Sequence, residues 1–160
     1  MKAGPVFWIV VVALGVMHFL LHVGLGLGPV APDLATVALL LASRETGMGA
    51  AAGAGFGLGL LEDALSVLSF GANGVAMALV GIVGSVSRDL FVGDSLIFLV
   101  SFFSMGKLLR DVAHWVMVGE ELRQPFVDQI LVQGTLGALY AAFVGVVVLA
   151  VTGLWREPAR

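Results

Sequence analysis

Four ionisable side chains, Lys107, Arg110, Asp111 and His114, recur at spacings of three and four residues, so on a helix they share one face. The stretch around them is otherwise apolar. Lys107 and Asp111 form a natural i,i+4 pair, which leaves Arg110 in surplus. The adjacent acids Glu62 and Asp63 are placed to balance it from another helix. Ionised groups within an apolar helix are costly, so the pattern predicts an interior polar network of Lys107, Arg110, Asp111, His114, Glu62 and Asp63. A network of this kind serves either as a static lock between helices or as the lining of a ligand pocket or partner socket. Residue types and spacing leave those uses open.

Other candidates carry less chemistry. His18 and His22 share a face near the N-terminus, and His114 is a third imidazole that can approach them, but a metal centre needs three or four ligands with outer support. Interior hydrogen bonding is the expected use, and no metal or cofactor is expected. The run Gly53-Ala54-Gly55-Phe56-Gly57-Leu58-Gly59 has the glycines of a phosphate loop without its Lys-Ser/Thr, and no strand precedes it. Nucleotide binding is rejected. No Ser, His and acid fall in a nucleophile arrangement and no paired acids form a catalytic motif, so a non-enzymatic protein is expected. Gln129, Gln133 and Tyr140 fall near one stripe of the last apolar segment, which suits hydrogen bonds between helices. The connection Gly119 to Val127 mixes Leu122, Phe126 and Val127 with Glu120, Glu121 and Arg123, as a solvated loop or a surface-docking element would.

The elements that must position these groups follow from composition. Of 160 residues, 59% are apolar, 12% are charged and 22 are Gly, with a mean hydropathy of +1.06. A soluble domain carries about 25% charged residues, so half that supply cannot keep a water-facing shell polar. The expected class is an all-α integral membrane protein, a six-helix transmembrane bundle in one domain over residues 1–160. Clustered Lys and Arg are missing and the net charge is −3, which argues against a nucleic-acid partner. The lack of Cys removes thiol chemistry and says nothing about compartment.

The spans read as 5–27, 32–43, 46–68, 74–87, 95–118 and 129–154. The first runs on to Gly28-Pro29 without a small-residue cleavage site, so it is expected to be a retained span. Asp33 opens the second, where a carboxylate suits the positive end of a helix. That helix is short for a hydrocarbon core of ~30 Å and should be packed inside the bundle or sit where the bilayer thins. In the third, Gly49, Gly53 and Gly57 stack at spacing four, as do Gly55 and Gly59, predicting two smooth ridges for close helix packing. Asn73-Gly74 reads as a turn, and Asp94-Ser95 as the cap of the fifth span. With the N-terminus inside, Lys2, Arg44, Arg88, Arg156 and Arg160 lie on the cytoplasmic side and only Arg123 outside, giving a multi-pass protein with both termini cytoplasmic.

Part of this pattern resembles the rod shape-determining MreD family. The matching residues are Pro32-Asp33-Leu34, then Gly49 to Gly53, then Gly55-Phe56-Gly57-Leu58-Gly59-Leu60-Leu61-Glu62-Asp63, then Leu68-Ser69-Phe70-Gly71. Asp33, Gly55, Phe56, Gly59 and Asp63 are the positions that match the family pattern. The resemblance implies a non-enzymatic subunit of the bacterial cytoplasmic (inner) membrane that binds the bitopic protein MreC. Together these would link MreB filaments to the polymerase RodA and its class B penicillin-binding transpeptidase. Chains of this type are similar in size and layout to the substrate-binding subunits of energy-coupling-factor vitamin transporters, which is the alternative function. In those, an A-x-x-x-A pattern on helix 1 docks the motor; here Ala13 is followed four residues on by Met17.

Overall fold

Local sequence signals set the helix boundaries. Pro5 begins α1 (Pro5–Phe19), where its missing N–H is no loss, and the helix continues as a wider π-helical turn over Leu20–Gly24. Asp33 caps α2 (Leu34–Glu45) by accepting from the Thr36 backbone N–H at 3.0 Å. After Thr46 and Gly47 the chain enters α3 (Met48–Leu65). Gly71, at φ +98°, turns it into α4 (Ala72–Ser87). Ser95 caps α5 (Leu96–Met117), its hydroxyl accepting from Phe98 N–H at 3.2 Å. A 3₁₀ turn at Glu120–Leu122 precedes a π-helical stretch over Val127–Gly134, which runs directly into α6 (Thr135–Val151). The computed structural model describes residues 4–24, 32–65, 70–87, 95–152 and 155.

All regular structure among the described residues is helical, in six helices, as the sequence predicts. Two of them, Pro5–His22 and Val127–Val151, are long and apolar enough to cross a membrane. The expected breaks at Gly28-Pro29 and Arg88-Asp89, the residues Leu68-Ser69 and Asp94, and the terminal bases Lys2, Arg156 and Arg160 lie outside the described residues.

The shortest expected span is the centre of the fold. Every residue from Leu34 to Leu41 is buried, and α2 touches α1, α3, α4, α5 and α6. Its Leu39, Leu40 and Leu41 join Met77, Leu99 and Phe103 in the apolar core. Close approach to α2 depends on small residues on its neighbours. A Cβ on Gly84 of α4 would meet Ser43, and one on Gly106 of α5 would meet Leu40.

The most extensive contact joins α3 to α4, and it revises the expected glycine ridge. A Cβ on Gly55 would collide with the Met77 carbonyl, one on Gly59 with the Asn73 carbonyl, and one on Gly81 with the Ala51 carbonyl. The contact stripe of α3 is therefore Ala51, Gly55, Gly59 and Asp63, all buried. Gly49, Gly53 and Gly57 were expected to form a packing ridge, yet all three are exposed with nothing within 4 Å of a Cβ. Two residues rotate a helix by about 200°, so burying the 51/55/59 register turns the 49/53/57 register outward. A second revision concerns Asn73-Gly74, which lies inside α4 rather than in the turn before it. The reason is Asp63, described below.

Candidate functional site

The fold gathers the predicted polar residues at one end, where α1, α3 and α5 finish and α2, α4 and α6 begin. Arg110 of α5 is the hub. Its Nη1 donates to Asp33 Oδ2 and, at 3.2 Å, to Thr36 Oγ1, both on or capping α2. Its Nη2 donates to Glu62 Oε2 of α3 and, at 3.3 Å, to Asn73 Oδ1 of α4. One planar guanidinium thus joins four helices, a task that suits its fixed fork of donors. Its side chain is 13% exposed, and those of Asp33 and Glu62 are 10%.

Lys107, one turn earlier, pairs with Asp111 as predicted and stands 3.6 Å from Asp33 Oδ2. Asp33 is held further by Thr36, whose hydroxyl donates to Oδ2 at 2.7 Å. On the opposite side His18 of α1, 3% exposed, places Nε2 3.1 Å from Glu62 Oε1. The contact is not a hydrogen bond, since Glu62 Oε1 is buried without a hydrogen-bond partner; His18 Nδ1, the other ring nitrogen, is likewise buried and unpartnered. His22 Nδ1 is 3.0 Å from the His18 carbonyl and its ring lies 4.0 Å from that of His18. Of the interior hydrogen bonding expected of these histidines, the His22 ring supplies one bond, to the His18 carbonyl, while the His18 ring packs against Glu62 and His22.

Two predicted members play other parts. Asp63, 1% exposed, is turned to the start of α4. It accepts from Gly71 N–H at 2.9 Å, Asn73 N–H at 3.3 Å, Gly74 N–H at 3.1 Å and Asn73 Nδ2 at 3.0 Å. Donors that would be unpaired at the start of α4 are thereby satisfied by an acid on α3, which is why Asn73-Gly74 can be helical. His114 is half-buried on the same face as Arg110 and makes no hydrogen bond or ion pair with the cluster among the described residues. It is one turn further along α5 than Arg110.

Asp33 is expected from the sequence at a helix N-terminus and as a position of the family pattern, outside the charged network. In the structure that carboxylate is also the acid shared by Arg110 and Lys107. Thr36 and Asn73 are members of the cluster that the sequence does not point to, Asn73 reading there only as part of a turn; a lone Thr or Asn in an apolar segment has too many local uses to signal a long-range partner.

Phe56, the remaining motif position, is 45% exposed, and its ring lies against Gly74 of α4. At the same end of α5 the connection to α6 is tied down. Arg123 stacks over Trp115 at 4.4 Å and donates to the Val116 and Val118 carbonyls at 3.1 and 3.0 Å. Trp115 Nε1 donates to the Gln124 carbonyl at 2.9 Å. Glu120, Glu121, Leu122, Phe126 and Val127 remain exposed.

His18, Asp33 and Glu62 can each bring one ligand atom within 4.8 Å of the others. One imidazole and two carboxylates make a donor set for a borderline divalent metal. Arg110 already bonds both carboxylates, however, so a dication would have to sit against its guanidinium. The arrangement is a cross-brace between helices: three carboxylates, Asp33, Glu62 and Asp111, interleaved with two bases.

No family model, curated protein or solved structure matches this chain.

Proposed function

We propose that the chain is a non-enzymatic scaffold subunit of the MreD type in the bacterial cytoplasmic membrane, crossing the bilayer six times with both termini cytoplasmic. In that role it binds MreC and helps couple MreB filaments to peptidoglycan synthesis by RodA and its class B transpeptidase, so maintaining rod shape. Support for a lipid environment comes from composition and from exposed apolar faces. Val6, Ile9, Val12 and Leu20 along α1, and Leu136, Leu139 and Phe143 along α6, are each more than half exposed, a surface too apolar for water.

The observation that carries the scaffold reading is the use made of the motif residues. Asp33 caps α2 and holds Arg110; Gly55 and Gly59 admit the α4 backbone; Phe56 covers Gly74; Asp63 caps α4. All of them join helices to one another, as a rigid binding body requires. The vitamin-transporter alternative draws no support from this end of the bundle, where Arg110, Asp33 and Glu62 close on one another.

The decisive experiment is affinity purification of the full chain, with and without MreC, from membranes in mild detergent. A stable complex with MreC, and rounding of rod-shaped cells on depletion, are expected. Tight binding of a vitamin by a chain that captures no MreC would overturn the proposal.

A further inference from the structure

One face of α6 has no counterpart in the bundle. Gly134, Ala138, Ala141, Ala142, Gly145 and Leu149 are buried on its inner side. Diametrically opposite lie Gln133, Leu136, Tyr140, Phe143 and Val147, all exposed. Within α6 the spacings of Leu136, Tyr140, Phe143 and Val147 run four, three, four, which is the seam of a left-handed coiled coil, and Gln133 precedes them in the π-helical stretch.

Two of the five are polar, and their depth matters. The helix from Val127 to Val151 is 25 residues, about 37 Å at 1.5 Å per residue, so Tyr140 sits beside its midpoint. In a core of ~30 Å its hydroxyl is about 15 Å from either edge, too far to snorkel into water. Tyr140 is 49% exposed, and neither it nor Gln133 hydrogen-bonds to any described residue. A hydroxyl and an amide held toward hydrocarbon need partners from outside the chain.

We propose that this seam is where a second copy of the chain docks, forming a two-fold symmetric dimer along α6. The proposal rests on the membrane-spanning reading above but not on the MreD assignment. Two copies with the same topology present parallel α6 helices, and a two-fold axis along the membrane normal sets each seam residue against itself at equal depth. Self-facing groups must be both donor and acceptor, and the amide of Gln133 and the phenol of Tyr140 are both. Charged side chains would repel themselves, and none occurs from Gln129 to Val151. Leu136, Phe143 and Val147 supply the apolar knobs between the polar rungs.

The chain has no Cys, so single cysteines report the geometry directly. In membranes containing the full chain, Leu136→Cys and Phe143→Cys are expected to cross-link into chain–chain dimers on oxidation. Leu131→Cys, exposed but facing away from the seam, is expected to stay monomeric. Tyr140→Phe removes only an outward hydroxyl and should weaken dimerisation about three- to fifteenfold in bilayers without loss of fold. Equal cross-linking at 131, no product at 136 and 143, or products there only with a different protein would overturn the dimer. A water-soluble maleimide separates the two levels. If it labels Phe143→Cys in intact membranes, the spanning reading fails; if that thiol is protected and does not cross-link, the dimer alone fails.

Discussion

Replacing Arg110 by methionine keeps much of its volume and removes the charge that holds four helices together. Breaking a buried ion pair from one side costs about 3–5 kcal/mol, because the partner is left buried and uncompensated. Arg110 serves two carboxylates, but Lys107 stands 3.6 Å from Asp33 and continues to balance that one. The stranded charge is then Glu62, with His18 beside it, so a loss of about 3 kcal/mol is expected, at the lower end of that range. Arg110→Lys keeps the charge, yet an ammonium cannot bridge carboxylates on two helices. It forfeits the hydrogen bonds to one of them, about 1.5–3 kcal/mol. The double variant Arg110→Met/Glu62→Gln removes the stranded charge as well, and should be more stable than the sum of its single changes by at least ~1 kcal/mol. Reversible unfolding in mixed detergent micelles, followed by far-UV circular dichroism, measures these three variants and Glu62→Gln alone. Arg110→Met within ~0.5 kcal/mol of wild type, the range of an ordinary surface change, would refute a buried brace. Strict additivity in the double variant would refute the pairing.

Three further outcomes follow from the packing and the caps. Gly55→Ala places a methyl against the Met77 carbonyl and should cost about 1–3 kcal/mol in the same assay, as overpacking does. Gly53→Ala, with open space around it, should be neutral or stabilising by up to ~1 kcal/mol through helix propensity. Asp63→Ala strands the Gly71, Asn73 and Gly74 N–H groups and should cost about 1–3 kcal/mol, whereas Asp63→Asn, which keeps an acceptor oxygen, should cost less.

The cross-brace was legible because charge in an apolar helix is rare enough to be informative. Lys107, Arg110 and Asp111 could only be tolerated facing inward, and Glu62 was an acid at the matching helix end. The central place of α2 was legible in the same manner, from a length too short to stand alone in lipid. Asp33 was half-seen, because an acid at a helix start already has a sufficient local reason to be there, which hides its long-range partners. Of the two glycine ridges expected on α3, only that of Gly55 and Gly59 packs, because α3 repeats small residues at spacing four in more than one register. Spacing cannot choose between them. Asp63 can, since it continues the 51/55/59 series and an acid at that depth belongs on the side that meets other helices. Asn73-Gly74 was read as a turn for want of knowing that an acid eight or more residues earlier satisfies its backbone.

The burial of α2 from Leu34 to Leu41 also bears on how the chain is assembled. With 12 residues, about 18 Å, and no side turned outward, it has little to hold it in a bilayer by itself. Its capping carboxylate waits for Arg110, which is synthesised 77 residues later. On the membrane reading, the second helix cannot settle as it leaves the ribosome and must be sheltered, by the insertion machinery or by α1, until α5 arrives. A chain stopped before residue 110 lacks the guanidinium that closes the brace, whereas one that includes all of α5 carries it.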